Sequence, residues 1–263
     1  MASMSTGKAA DESVIRASVC MATYNGQAYV EQQVASILAQ LGPDDELVVV
    51  DDASQDGTTA LLLAFQDGRI RLVKEPVNRG YVKCFERAVL LSTGKYVLLS
   101  DQDDVWMPGR LELMLSRLQD HGIVASNFEL LGSTGLFEGP RLRASDSDHP
   151  LRNIFAIMIG YRPYLGCAMA LRRDVLDLFA PMPSYLHESH DLWLALTGNV
   201  SRELAHIEEP TLLRRLHDNN VTPRRWRSLP TILRARVMLF RALLEAVRRR
   251  RHHNRVSFSQ NMI

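Results

Sequence analysis

The chain has no run approaching 18 apolar residues, so no segment reads as a membrane-spanning helix. It is poor in cysteine. Cys20, Cys84 and Cys167 are far apart and odd in number, which excludes a disulfide framework, offers no zinc spacing and makes a reducing cytoplasm the simplest expectation. It has no charge excess of one sign: 31 Lys and Arg face 30 Asp and Glu, so bulk charge selects no partner. The opening residues, "MASMSTGKAADES", contain no apolar stretch. That predicts no signal peptide, and residues 1–13, small and polar, are expected to be disordered. There is no internal repeat and no low-complexity tract. What remains is an ordinary soluble composition: 263 residues, 46% hydrophobic and 23% charged, enough for one large domain or one domain with an appendage.

Within that frame, short apolar runs alternate with helical patterns. "ASVCMA" (17–22), "LVVV" (47–50), "IRLV" (70–73) and "YVLLS" (96–100) read as strands. Between them, Val30, Val34, Ile37, Leu38 and Leu41 recur at helical spacing, "TALLLAF" forms an apolar helix, and Val82, Phe85, Ala88, Val89 and Leu91 mark another. Strands that are continuously apolar and separated by helices predict a largely parallel sheet covered on both faces. Further on, "GCAMALRRDVLDLF" (166–179) reads as strand then helix, "HESHDLWLALTGN" (187–199) as a short helix and "TLLRRLHDNN" (211–220) as a strand ending in a polar turn. Residues 130–165, rich in Gly, Pro and Ser, read as a long loop.

A parallel sheet binds ligand beyond the carboxyl ends of its strands. Three polar clusters fall there: Thr23-Tyr24-Asn25-Gly26, Asp51-Asp52 and Asp101-Gln102-Asp103-Asp104. The third places three aspartates within four positions, a costly arrangement unless a cation relieves it. Asp-x-Asp after a strand suits a hard divalent ion, with phosphate oxygens and water completing its shell. Turn formation and helix capping are the competing role, and Asp56 fits that role before the helix that follows it. An EF-hand loop starting at Asp101 fails, because its sixth position is Trp106 rather than Gly. "DQDDV" also resembles the nucleophile motif of haloacid-dehalogenase-type phosphatases, but that motif opens its domain and here three strands precede it.

Six segments occur in order: "VCMATYNGQAYVEQQVASILAQ", "ELVVVDDASQDGT", "NRGYVKCFERAVLLSTGKYVLLSDQDDVW", "GCAMALRRDVL", "HDLWLAL" and "RRLHDNNVT". Together, over residues 16–222, they resemble an inverting family-2 glycosyltransferase, and "SDQDDVW" is most similar to the rhamnosyltransferase-like branch that builds bacterial surface polysaccharides. The resemblance implies an α/β GT-A fold: a Rossmann-like, mostly parallel central sheet with helices on both faces. It implies that Thr23, Tyr24, Asp52, Arg79, Asp101 and Gln102 bind a dTDP- or UDP-sugar, with Asp52 on the base and Asp101 near the ribose. Asp103, with His217, would hold Mg²⁺ or Mn²⁺ on the diphosphate, and Asp191 would be the catalytic base. The acceptor would be a glycan or lipid-linked glycan. Two departures stand out: Leu192-Trp193 where the family often has Trp-Trp, and Asp218 where it often has Gly. Trp106 and Trp193 suit either a sugar face or a core, and at least one of His187 and His190 is expected to be structural. A sugar-nucleotide-binding protein without turnover is the alternative from another class.

The domain is thus expected over residues 14–222, followed by a helical extension over 223–263. From Arg224 to Arg255 there are eleven arginines and one acid, Glu245. Leu233, Val237, Phe240, Leu244 and Val247 form an apolar stripe, with Leu243 beside it. Such a helix can lie on the anionic inner face of a cytoplasmic membrane or pack on the domain. Nucleic acid is not expected, because only Trp226 and Phe240 are aromatic among the arginines and no stacking platform results.

Overall fold

A computed structural model describes residues 15–132, 139–217 and 228–260. The expected disorder of residues 1–13 and the Asp218 departure lie outside the described residues. The chain begins β1 (Ala17–Thr23), α1 (Val30–Leu38), β2 (Asp45–Asp51), α2 (Thr58–Ala64), β3 (Ile70–Lys74), α3 (Tyr81–Leu91) and β4 (Tyr96–Ser100). It continues β5 (Val105–Trp106), α4 (Arg110–Arg117), β6 (Ile123–Leu130), α5 (Pro150–Ile159), β7 (Met169–Arg172) and α6 (Leu176–Phe179). It ends with α7 (His190–Ser201), β8 (Leu204–Arg214) and α8 (Leu229–Gln260).

The strands form one sheet in the order β3-β2-β1-β4-β7-β6-β8-β5. Its first four strands are parallel, as their apolar runs predict. The other half is mixed: β7 runs antiparallel to both β4 and β6, and β8 is parallel to β6. Alternate residues of a strand feed opposite faces. Val19, Met21, Leu47 and Val49 pack with α1, α2 and α4. Cys20, Val48 and Val50 pack with α3, α6, α7 and α8. Both faces are covered, so the ligand-facing edge is set by the strand ends.

Two expectations need correction. The stretch 130–165 is not one long loop. It holds a 3-10 turn, Ala144–Asp148, and α5, which starts on Pro150, a residue favoured at a first helical position because its missing N–H has no partner there anyway. The stripe chosen for α8 is its packing face only in part: Val247, and Leu243 beside it, pack against the core. Leu239, Ala242 and Ala246 are the buried positions, whereas Leu233, Val237, Phe240 and Leu244 are more than half exposed. Alanine at two of the three buried positions lets the helix axis come close to α6 and α7.

Candidate active site

The carboxyl ends of β1, β2 and β4 gather the first three polar clusters. At the end of β1, Thr23 is buried and its hydroxyl donates to Asp51 Oδ2 at 2.9 Å. Asp51 also accepts from the Ser54 amide and hydroxyl, so it is a fastener between two loops. Tyr24 is half exposed, and its backbone is clamped by Gln102. Tyr24 N–H donates to Gln102 Oε1 at 2.9 Å, and Gln102 Nε2 donates to the Tyr24 carbonyl at 3.0 Å. This clamp explains Gly26. A Cβ there would lie 2.2 Å from Gln102 Oε1.

Asp52 is buried, and its two oxygens accept the N–H groups of Arg79 and Gly80 at 2.6 and 2.8 Å. It thereby holds the turn that presents Arg79. The turn needs glycine, since Gly80 has φ +86°. Arg79 reaches toward Glu75 at 3.8 Å, with its side chain mostly exposed.

The acid loop after β4 splits its three carboxylates. Asp103 Oδ2 lies 2.7 Å from His217 Nε2, and the His217 ring stacks on Tyr29 at 4.6 Å. Asp101 and Asp104 turn instead toward the Cys167 thiol, and their ligand atoms lie within 4.8 Å of one another. Burial, followed by the charges of Asp103 and Asp104, holds Asp101 well above the usual carboxylate range. Burial and Asp103 push Asp104 up to about 6. Burial and the two acids also raise the Cys167 thiol, so it stays protonated. Asp104 Oδ2 is buried without a hydrogen-bond partner. Crowded, partly protonated carboxylates with an unused oxygen are the donor set a hard divalent cation would ionise and satisfy. The residues present therefore fit Mg²⁺ or Mn²⁺, with the thiol as a neighbour rather than a preferred ligand.

Asp191 opens α7, half-buried, and burial pushes its carboxyl up to about 6. One oxygen accepts the Leu192 N–H at 2.7 Å. At the turn before α7, the Ser189 N–H donates to the Tyr81 hydroxyl at 3.1 Å. His190 is structural. It stacks on Phe85 at 4.4 Å, and burial depresses it to about 4, so it is neutral at pH 7. Trp106 and Trp193 are both buried in the core.

Sequence reasoning missed three arginines. Arg110 is 1% exposed and donates to the Cys167 carbonyl at 2.6 Å, which places a buried cation behind the acids. Arg214 ends β8 with its guanidinium 5.7 Å from the Phe128 ring centroid. Arg215 fastens the loop itself: its N–H donates to Asp104 Oδ1 at 3.1 Å and its Nε to the Asp103 carbonyl at 3.0 Å. The paired arginines in "RRLHDNN" were the available signal. Arg215→Gln is expected to weaken metal-dependent donor binding about tenfold, the loss of one charge-assisted hydrogen bond, with little change in melting temperature. Calorimetric titration beside a thermal melt checks it.

Residues 18–179 match the model of "Glycosyl transferase family 2". A UDP-Glc:alpha-D-GlcNAc-diphosphoundecaprenol beta-1,3-glucosyltransferase of Escherichia coli is 27% identical over 70% of this chain and 71% of its own. A putative teichuronic acid biosynthesis glycosyltransferase of Bacillus subtilis is 33% identical over 45% of this chain, which spans only about half (48%) of that relative. Among solved structures, glucosyl-3-phosphoglycerate synthase of Mycobacterium tuberculosis, crystallised with Mn²⁺, UDP and phosphoglyceric acid, superposes with a TM-score of 0.57. It is 20% identical, over 88% of this chain and 78% of that one, a likeness of fold.

Proposed function

The chain belongs to glycosyl transferase family 2 and has the GT-A fold, and from that premise we propose that it transfers a sugar, with inversion, from a nucleoside diphosphate donor to a glycan or lipid-linked glycan in bacterial polysaccharide synthesis. The observation that carries this reading is the gathering of three polar clusters at the carboxyl ends of β1, β2 and β4, where Gln102 clamps Tyr24 and the ligand atoms of Asp101, Asp104 and Cys167 lie within 4.8 Å of one another. Asp191, as the base for the acceptor, would complete that site.

In this reading Thr23, Tyr24, Asp52, Arg79, Asp101 and Gln102 shape the nucleotide pocket. Asp51 and the Gln102 clamp hold its floor, and Arg79 offers its charge at the mouth. Asp191 accepts the proton of the acceptor hydroxyl as that oxygen bonds to the anomeric carbon and the bond to the diphosphate breaks on the opposite face. Asp103 with His217, beside Asp101 and Asp104, would hold the divalent ion, which when bound neutralises charge on the departing diphosphate. The relative named for a UDP-glucose donor puts a UDP-hexose ahead of dTDP-rhamnose. No helix among the described residues is long and apolar enough to cross a membrane. Contact with a lipid-borne acceptor, peripheral and on the cytoplasmic side through α8, is part of this proposal.

A calorimetric panel tests the reading. UDP-glucose, UDP-galactose, UDP-N-acetylglucosamine, dTDP-rhamnose and GDP-mannose are titrated with and without Mn²⁺. One donor is expected to bind, only with metal. Failure of folded protein to bind any donor, or UDP and dTDP with Mn²⁺, would remove the transferase reading. Donor binding without turnover on any glycan acceptor would favour a silent binding protein.

A further inference from the structure

We propose that a second, arginine-lined cavity binds the phosphate or diphosphate group of an amphiphile whose hydrocarbon lies along the adjoining apolar face of α5 and α8. The cavity, about 570 Å³, shares no residue with the donor pocket described above. Arg141, Arg143, Arg152 and Arg162 line it, against two carboxylates, Asp146 and Glu208. Those carboxylates are already engaged, and Arg141 is itself paired with Glu129 at 2.9 Å. Asp146 pairs with Arg162 at 2.7 Å and Arg152 at 3.1 Å, and Glu208 accepts the Ala144 N–H at 2.9 Å. Arg143 pairs with no carboxylate among the described residues. The Arg162 side chain is 6% exposed, and its Nε has no acceptor. A buried guanidinium with an unused donor, in a cavity with excess positive charge, is completed by an anion that accepts several hydrogen bonds, and a phosphate does so.

The second observation is the surface beside it. On α5, Leu151, Phe155 and Ile159 follow one another at helical spacing and are 80%, 65% and 54% exposed. Arg152 and Ala156 of the same helix line the cavity. On α8, Leu233, Val237, Phe240 and Leu244 form the exposed stripe. The two helices meet where Arg236 Nη2 donates to the Ile159 carbonyl at 2.9 Å. Exposed arginines border the stripe, and α8's one described acid, Glu245, is held by Arg248 and Arg249. Seven large apolar side chains exposed on two contacting helices mark a surface that meets a partner or a membrane. Bordered by arginines, it complements an anionic lipid surface.

An anionic amphiphile would be the lipid-linked acceptor of the reading above, on which that part alone rests. Binding is measured without sugar transfer, so either claim can fail without the other.

The full chain is floated with phosphatidylcholine vesicles, with and without phosphatidic acid, and titrated with inorganic pyrophosphate by calorimetry. Flotation is expected only with phosphatidic acid. Arg143→Gln with Arg152→Gln should weaken both flotation and pyrophosphate binding by about tenfold. Both side chains are exposed, so the fold should hold, and a melt confirms it. Leu151→Gln with Phe155→Gln should weaken flotation and spare pyrophosphate. Flotation indifferent to the arginine pair, or no pyrophosphate binding at all, would overturn the proposal. Pyrophosphate binding without flotation would overturn its lipid part in favour of a soluble phosphate.

Discussion

Asp191→Asn is expected to lower the transfer rate by roughly 10²–10⁴-fold, the usual contribution of a positioned base, while leaving metal-dependent donor binding intact. Asparagine is isosteric and keeps the oxygen that accepts the Leu192 N–H, so the first turn of α7 should not move. The pH profile adds a readout that a structural role would not give. A base must be ionised, and burial has raised the Asp191 carboxyl to about 6. Wild-type turnover should therefore fall as pH drops through about 6, rather than near 4 where an exposed aspartate would titrate. The residual activity of the variant should lack that limb. The neighbouring His190 cannot account for it, because burial holds its ring at about 4. Asp104 is also raised to about 6, but saturating metal keeps it ionised, so the limb under those conditions belongs to Asp191. Glu188 contributes repulsion at Asp191, so Glu188→Gln should move the limb slightly to lower pH. A profile unchanged in Asp191→Asn would remove it as base.

The parts of this molecule legible in its sequence are those fixed by local periodicity. The strands ending at Thr23, Asp51 and Ser100 are continuous apolar runs, and the polar residues after them were bound to share an edge once the strands ran parallel. β6 was not legible, because "IVASNFEL" places Ser126 and Asn127 in the sheet interior. Their donors are satisfied by the Ala168, Leu142 and Glu208 carbonyls and the Asn127 Oδ1 by the Leu142 N–H, partners 15 to 81 residues away. The α8 face was misread for a related reason. Hydrophobicity picks out Leu, Val and Phe, whereas close helix packing selected Ala242 and Ala246 beside Leu239 and left Leu233, Val237, Phe240 and Leu244 outside. Within the site, residue types were readable and their partners were not. Nothing in the sequence says that both oxygens of Asp52 hold backbone N–H groups of Arg79 and Gly80, or that Arg215 fastens Asp103 and Asp104.

The second large effect is expected at Asp103. Asp103→Ala should weaken Mn²⁺-dependent donor binding on the order of 10²-fold, about 3 kcal/mol of lost cation–carboxylate interaction. The same change has an opposite consequence in the protein without metal. The Asp103 charge helps raise both Asp101 and Asp104, so its removal should let both titrate at lower pH, an outcome that carboxyl-carbon NMR can follow. Metal affinity thus falls while the remaining acids become easier to ionise, a combination that simple unfolding of the loop does not produce. Asp103→Asn separates the two roles of this side chain. Asparagine can still hydrogen-bond His217, which lies 2.7 Å from Asp103 and is braced against Tyr29, but it brings no charge to a cation. If Asp103→Asn binds donor like wild type, Asp103 serves to anchor His217, and the metal belongs to Asp101 and Asp104. If it behaves like Asp103→Ala, the charge is what matters, and the crowding of three carboxylates after β4 is explained by the ion they hold.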